Sequence, residues 1–168
     1  MNKTQTVVLD KKQIEQKVNR IAWQIYEDNF QEKEIIVAGI AKTGFLFAQR
    51  IAGVLKKISP FKVSLIKIIL DKTNPLSSRI EPAVSNAELK DKVVVLVDDV
   101  LNSGMTLTYS LRPFLDSGIR KIRTVILVDR NHKRFPTGAD FTGISLATTM
   151  QEHITVDLDG GNDSVTLS

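Results

Sequence analysis

The chain contains no cysteine among its 168 residues. Disulfide cross-links, thiolate metal sites and cysteine nucleophiles are therefore excluded. No apolar run approaches the roughly 20 residues that a membrane-spanning helix needs, and the first residues lack the apolar core of a secretory signal peptide. No internal repeat stands out. We therefore expect a cytoplasmic protein without a membrane segment.

The composition is that of an ordinary globular protein. Hydrophobic residues make up 42% of the chain and charged residues 25%, and the length suits one domain with a substantial core. Basic side chains outnumber acidic ones, 23 to 19, which gives a formal charge of +4. This balance favours an anionic partner, which is either a phosphorylated metabolite or a nucleic acid.

Strand-like and helix-like segments alternate along the chain. Asp10 and Gln13 form a capping-box pattern ahead of a helix expected over residues 11–29, and further helices are expected over 45–57 and 105–118. The apolar runs EIIVAGI, KVVVLVDD and KIRTVILVD are typical of strands buried in a parallel sheet. We therefore predict an α/β fold with a mostly parallel twisted sheet flanked by helices, with ligands at the carboxyl ends of its strands.

Three other segments carry structural expectations. Residues 71–91 show no clear periodicity, and a loop of this length is typically a functional lid or a disordered segment. Pro113 falls inside a helical pattern and predicts a kink or break near Arg112. The final residues, DGGNDSVTLS, are interpreted as a frayed polar tail, so the predicted domain covers residues 1–160 and the tail 161–168.

The stretch KVVVLVDDVLNSGMT combines features of a phosphate site. An apolar strand is predicted to halt on Asp98 and Asp99, and a turn of small residues then leads into a helix. The unpaired N–H groups and the positive dipole end of that helix favour a phosphate, and Gly104 permits close approach. It is not a Walker sequence, because no Gly-Lys-Ser/Thr follows. Carboxylates beside a phosphate suit ribose hydroxyls and Mg²⁺, whereas the alternative, that they only end the strand, explains less of the pattern.

VVLVDDVLNSGMT resembles the 5-phosphoribosyl-1-pyrophosphate (PRPP) motif of type I phosphoribosyltransferases. The segments TVVLD, NRIAWQIYEDN, IIVAGIAKTGFLFAQRIA and VILVDRNHKRFPTGADFTGISLAT extend the resemblance to the PyrR family, across roughly residues 6–158. Members of this family are uracil phosphoribosyltransferases that in some bacteria also bind pyrimidine-operon mRNA. The resemblance implies the type I phosphoribosyltransferase fold with a small hood, and conversion of uracil and PRPP to UMP and pyrophosphate with Mg²⁺.

The resemblance also implies roles for individual residues. Those that it places at the catalytic centre are Asp98, Asp99 and Asn102, with the two acids holding the ribose and meeting the metal only indirectly, through ribose or PRPP. The resemblance places Ser103, Gly104, Met105 and Thr106 at the 5-phosphate. It places Ala41, Lys42, Thr43 and Gly44 at the pyrophosphate, together with Arg79 from the lid. The base is expected to contact Val128, Asp129 and Arg130, and RNA is expected to contact Arg20, His132 and Lys133.

Two alternatives stay open beside the uracil enzyme. One is a phosphoribosyltransferase for another base; purine-type relatives place an aspartate where this chain has Asn102, which weakens a hypoxanthine–guanine assignment. The other is an RNA-binding regulator with a nucleotide-sensing pocket, for which Lys17 would extend the basic face. Trp23 stands where RNA-regulating members tend to have histidine, and the lid lacks the Tyr-Arg-Asp sequence common in the family. The family also implies a homo-oligomer, a dimer or higher.

Overall fold

The computed structural model describes residues 5–71, 73–81 and 83–168. The elements in chain order are β1 (Thr6–Leu9), α1 (Lys11–Asn29), β2 (Glu34–Ile40), α2 (Thr43–Ile58), β3 (Lys62–Asp71), β4 (Asn74–Glu81), α3 (Asn86–Leu89), β5 (Val93–Leu101), α4 (Met105–Leu115), β6 (Lys121–Asp129), β7 (Phe141–Ser145), β8 (Ile154–Asp157) and β9 (Ser164–Leu167).

The main sheet has six strands in the order β4-β3-β2-β5-β6-β7. Neighbouring strands in this sheet run parallel, except that β4 pairs antiparallel with β3. Helices α1 and α2 cover one face through a core that includes Ile21 and Phe47, and α4 covers the other with Leu107 and Phe114. A strand buried on both faces needs apolar residues at successive positions, so the apolar runs are explained and the predicted α/β architecture is confirmed.

The predicted start of α1 is confirmed in atomic detail. The backbone N–H of Gln13 donates to the Asp10 carboxylate at 2.8 Å, and the N–H of Asp10 donates to the Gln13 side chain at 2.9 Å. The reciprocal pair satisfies backbone donors that the first helical turn otherwise leaves unpaired. Within the described ranges, no helix is both long and apolar enough to cross a membrane.

The prediction of a frayed C-terminal tail is wrong. Strand β9 is the central strand of a second, three-stranded antiparallel sheet, in which it pairs with both β1 and β8. Val165 is fully buried and Asp163 is 5% exposed, with the Asp163 carboxylate ion-paired to Arg50 of α2. This polar strand pairs with the neighbouring β8 and also with β1, which is more than 150 residues away in sequence, so local composition cannot reveal the pairing with β1.

Residues 71–91 also differ from the prediction of a structureless loop. Strand β4 folds back on β3, with Arg79 opposite Ile69, and α3 follows with Leu89 buried. Strand β4 lies at the sheet edge and is exposed along most of its length, so it needs little of the hydrophobic pattern by which strands are recognised.

Two expectations around β5 and α4 need correction. Strand β5 does not halt at the two acids but continues to Leu101, because Val100 and Leu101 still pair with β6. Helix α4 does not break near Arg112; it passes through Pro113 and ends at Leu115. Proline has no backbone N–H, so residue 113 cannot donate to the carbonyl of Tyr109 as the helix pattern requires. That carbonyl instead accepts a long hydrogen bond of 3.5 Å from the Ser78 hydroxyl.

Candidate functional site

A cavity of about 520 Å³ opens at the carboxyl ends of β2 and β5. Residues 40–43, 98–104, 106–107 and 154 line it. Every lining residue except Ile154 belongs to one of two strand–helix junctions, which are the end of β2 with the start of α2 and the end of β5 with the start of α4. The position agrees with the rule that parallel sheets bind ligands beyond the carboxyl ends of their strands.

The turn between β2 and α2 forms one wall of the cavity. Helix α2 begins at Thr43 without a side-chain cap, the Ala41–Lys42 peptide bond is cis, and the Lys42 side chain is exposed. A Cβ on Gly44 would lie 2.7 Å from Oδ1 of Asp98. Glycine is therefore required for this helix start to lie against β5, where its uncapped N–H groups and Lys42 favour an anion.

The two acids are held by the backbone of their own strand. Oδ1 of Asp98 accepts a hydrogen bond from the N–H of Asp99, and Oδ1 of Asp99 accepts one from the N–H of Val100, both at 2.9 Å. Asp98 is 7% exposed, whereas Asp99 is partly exposed. Both carboxylates line the cavity, and such oxygens accept hydrogen bonds from hydroxyl groups.

The turn after β5 has the form of an anion site. Gly104 has a φ of +84° and precedes α4, which begins at Met105 without a side-chain cap. The carbonyl of Ser103 accepts hydrogen bonds from the N–H groups of Arg134 and Phe135 at 2.8 and 3.0 Å, which fixes the turn from outside. The positive φ favours glycine. The N–H of Met105 donates to the Ser103 hydroxyl at 3.3 Å, and the start of the helix beyond it favours an anion.

The residues predicted to bind the base lie behind the cavity wall. Val128 is fully buried in the core, and Asp129 accepts a hydrogen bond from the N–H of Asn131 and is 3.5 Å from the ammonium of Lys133. Arg130 reaches the site only through Asn102, because its Nη1 donates to Asn102 Oδ1 at 2.9 Å. Asn102 itself lines the cavity.

The remaining predicted residues lie apart from the cavity. Arg79 pairs with Glu81 on the same strand at 3.0 Å. Arg20 donates to the carbonyls of Thr142 and Gly143, both at 3.0 Å, and His132 Nε2 contacts the carbonyl of Thr148. The side chains predicted to face RNA are therefore each engaged with neighbouring parts of the chain, Lys133 through its ion pair with Asp129.

One part of the wall was not identified from the sequence. Ile154, at the start of β8, brings the second sheet to the edge of the cavity. The apolar and polar residues of HITVDL alternate, which is typical of a strand but does not indicate where that strand lies in the fold. No local pattern signals that residue 154 lies near residues 40–43 and 98–104, since the contact depends on how the two sheets pack.

The acids do not form a protein-only metal site. Among the described residues, no group of three or more His, Asp or Glu side chains is arranged to hold a metal ion. Mg²⁺ is satisfied by one or two carboxylates together with substrate phosphates, so the donor set fits a cation that arrives with a phosphorylated ligand.

The chain is similar in sequence to known phosphoribosyltransferases. The sequence model described as "Phosphoribosyl transferase domain" matches residues 4–159. The "Bifunctional protein PyrR" of Clostridium acetobutylicum is 35% identical over 91% of this chain and 90% of its own length. The protein of the same name from Clostridioides difficile is 36% identical over 95% of this chain and 96% of its own.

Solved structures give the same fold. The hypoxanthine phosphoribosyltransferase of Trypanosoma cruzi superposes with a TM-score of 0.77 at 16% identity, covering 96% of this chain and 95% of its own. That of Staphylococcus aureus gives a TM-score of 0.72 at 18% identity, covering 86% and 79%. At these identities the likeness concerns the fold and leaves the choice of base open.

Proposed function

Because the chain belongs to the PyrR family of phosphoribosyltransferases, we propose that it transfers the phosphoribosyl group of PRPP to uracil, giving UMP and pyrophosphate. The observation that carries the proposal is one cavity that joins two uncapped helix starts with two carboxylates between them. Two anion sites, with carboxylates between them that can accept hydrogen bonds from hydroxyl groups, match a sugar that is phosphorylated at both ends.

Each part of PRPP has a counterpart in the cavity. The N–H groups of the turn that contains Ser103, Gly104, Met105 and Thr106 would bind the 5-phosphate. Asp98 and Asp99 would accept hydrogen bonds from the ribose hydroxyls. The turn over residues 41–44 would bind pyrophosphate, with the Lys42 ammonium placed for the charge that grows on the leaving group.

The chemistry needs placement and charge stabilisation rather than a protein nucleophile. A nitrogen of the base forms a bond to the anomeric carbon while the bond from that carbon to the pyrophosphate oxygen breaks, and its electron pair leaves with pyrophosphate. The base loses its N–H proton to water or to the leaving group. Fixed N–H donors and Lys42 stabilise the departing negative charge, and binding both reactants in one cavity supplies orientation.

Mg²⁺ fits this site as a companion of PRPP. The carboxylates nearest to it would be Asp98 and Asp99, and it would neutralise charge on the pyrophosphate. Arg79 keeps its predicted role only if β4 approaches the cavity, since in this structure it pairs with Glu81.

RNA binding and assembly into a homo-oligomer stay predictions. The relatives are called bifunctional, and the formal charge of +4 is compatible with an anionic polymer. If the chain does bind RNA, the affinity should fall steeply with salt because phosphate contacts release counterions.

The decisive test is pyrophosphate release from PRPP with a panel of bases, for wild type and Asp99→Asn. Wild type should be fastest with uracil, and the variant should lose about 100-fold in kcat/KM, as expected when a preorganised polar contact is removed. The control is Asp116→Asn, which removes an exposed carboxylate from the far end of α4. Equal rates for wild type and Asp99→Asn would contradict the assigned site.

A further inference from the structure

The loop between β6 and β7, residues 130–140, holds the turn ahead of α4 from outside the cavity. The N–H groups of Arg134 and Phe135 donate to the carbonyl of Ser103 at 2.8 and 3.0 Å, and neither of these two residues lines the cavity. A trans peptide places its C=O and the following N–H on opposite sides. Binding of the Ser103 carbonyl to the loop therefore turns the N–H of Gly104 toward the cavity, where an anion can accept a hydrogen bond from it.

A second contact from the same loop ends on the next carbonyl of the turn. Oγ1 of Thr108 donates to the carbonyl of Gly104 at 2.7 Å, and it also contacts Oγ1 of Thr137. A hydroxyl group has one proton, and the proton of Thr108 goes to the carbonyl. Thr137 must therefore be the donor in the contact between the two hydroxyls. The two hydrogen bonds form a directed chain from Thr137 through Thr108 to the backbone of Gly104, whose φ is +84°.

The loop is itself anchored on both sides of Thr137. After Thr137, the carbonyl of Gly138 accepts a hydrogen bond of 2.7 Å from the hydroxyl of Thr124, a residue of β6 that is buried. Before Thr137, the ring of Phe135 packs edge-on against Tyr109 of α4, with 6.1 Å between the ring centroids. These anchors give the Thr137 hydroxyl a defined place relative to the turn, so the loop can act as a support for it.

We propose that Thr137 is a positioning residue for the 5-phosphate, which acts through Thr108 on the orientation of the turn and does not touch the substrate. The inference rests on the proposed function, which assigns this turn to the 5-phosphate of PRPP. Neither threonine lines the cavity, so a change in either one reaches the ligand only through the backbone. The turn over residues 41–44, assigned to pyrophosphate, forms no hydrogen bond with the described residues of this loop. The two halves of PRPP should therefore respond differently to loss of the Thr137 hydroxyl.

The first test measures the two halves of PRPP separately by calorimetry, which needs no turnover. Thr137→Val removes the hydroxyl, so ribose 5-phosphate should bind about fivefold more weakly, the usual worth of one hydrogen bond. Pyrophosphate, titrated with ribose 5-phosphate already saturating, should bind within about twofold of wild type, as for a change remote from its site. Thr137→Ser keeps the donor and should bind both ligands as wild type does. Equal weakening of both ligands, weakening of neither, or no rescue by serine would overturn the proposal.

The matched control is Thr166→Val, which makes the same change in the second sheet. The Thr166 hydroxyl accepts a hydrogen bond from the Gln5 side chain at 2.8 Å. Both valine variants should lose a similar amount of unfolding free energy in urea titrations, because each loses one partly buried hydrogen bond. Only Thr137→Val should weaken the binding of ribose 5-phosphate. An equal loss of affinity in Thr166→Val would show that the effect follows from general destabilisation, which would overturn the proposal.

The second test examines the chain of hydrogen bonds itself. Thr108→Val removes the link between the loop and the Gly104 carbonyl, so it should weaken ribose 5-phosphate at least as much as Thr137→Val does. The double variant should bind ribose 5-phosphate no more weakly than Thr108→Val alone, because residues that act through one contact are non-additive. Additive losses would show that the two threonines act separately, and the assignment of Thr137 as a residue that acts through Thr108 would then be wrong.

Steady-state kinetics connect the positioning role with the proposed function. The 5-phosphate does not react, so it is bound equally in the ground state and the transition state. Thr137→Val should therefore raise the KM for PRPP about fivefold and leave kcat within about twofold of wild type. A fall in kcat at unchanged KM would overturn the proposal. If wild type turns over no base yet ribose 5-phosphate responds to Thr137→Val and Thr137→Ser as expected, the proposed function fails and the positioning role stands. If wild type does not bind ribose 5-phosphate, both fail.

Discussion

The two ends of the parallel sheet differ in how their charged side chains are paired. At the amino end, Glu34 lies 2.6 Å from Lys92 and 3.3 Å from Lys62, and Asp28 lies within 3.0 Å of both Lys121 and Arg123. At the carboxyl end, Asp98 and Asp99 are adjacent, and Lys42 forms no ion pair with a described residue. The amino end matches these charges within the protein, whereas at the carboxyl end Asp129 pairs with Lys133 and Lys42 has no such partner among the described residues.

The difference is visible in the pKa values of the amino-end acids. A hydrogen bond from Arg123, reinforced by Lys121, lowers the pKa of Asp28 against the opposing effect of burial. A hydrogen bond from Lys92, reinforced by Lys62, lowers the pKa of Glu34 in the same way. The folded state therefore favours the charged form of both groups, which is the behaviour of stabilising ion pairs.

The largest effect is expected from Gly44→Ala at the carboxyl end. The added methyl would lie 2.7 Å from Oδ1 and 3.1 Å from Cα of Asp98, so the helix start and the acid must move apart. Displacement by about 1 Å at a reacting centre typically costs about 100-fold, and we expect that loss in kcat/KM for pyrophosphate release.

Gly53→Ala in the same helix is the matched control for that change, because nothing lies within 4 Å of its added methyl. It should leave activity unchanged and stabilise the protein by up to about 1 kcal/mol through helix propensity. Full activity in Gly44→Ala would mean that the contact between α2 and β5 does not shape the site.

The sequence predicts the carboxyl end well where its residues are contiguous. Residues 98–106 carry the end of the strand, the two acids and the turn before α4 in one segment, so their proximity follows from chain connectivity. Contacts between distant segments were not predicted: the link from Arg130 to Asn102, the place of Ile154, and the pairing of β9 with β1. These depend on side-chain reach and sheet packing, which have no local signature. Strand β4 was missed because its edge position requires little apolar patterning.

The second largest effect is expected on the stability of the protein at low pH. Because Asp28 and Glu34 have lowered pKa values in the folded state, the unfolded chain binds their protons first as the pH falls. Their stabilisation is complete above the ordinary carboxyl values, about 4, and is lost as the pH drops through the lower folded-state values. The free energy of unfolding from urea titrations should therefore decline below about pH 4.

That decline should be shallower in the double variant Asp28→Asn, Glu34→Gln. Neither replacement can titrate in this range, so these two clusters of ion pairs then contribute no acid sensitivity. An identical pH profile for wild type and the double variant would place the acid-sensitive groups elsewhere and break the contrast between the two ends.

A smaller effect is expected from Asp28→Asn alone at neutral pH. The carboxylate and its partners Lys121 and Arg123 are about one quarter to one third exposed, so solvent screens the pairs and their loss should cost about 1 kcal/mol of unfolding free energy. Activity should not change, because the pair lies at the end of the sheet remote from the cavity. A loss of activity at equal stability would contradict the division of roles. High salt should shrink the stability difference.

The smallest effect is expected on the free energy of unfolding when an acid at the carboxyl end is replaced. Asp99→Asn removes one of two adjacent negative charges yet keeps an oxygen that can accept from the N–H of Val100, as Asp99 does now at 2.9 Å. Because the contact with the N–H of Val100 can be kept, the free energy of unfolding should stay within about 0.5 kcal/mol of wild type or rise slightly while activity falls, as is common at binding sites. Urea titration beside Asp116→Asn measures it. If Asp99→Asn instead lowers stability by more than Asp28→Asn does, then Asp99 serves the fold as the amino-end carboxylates do, and the carboxyl end is not reserved for substrate.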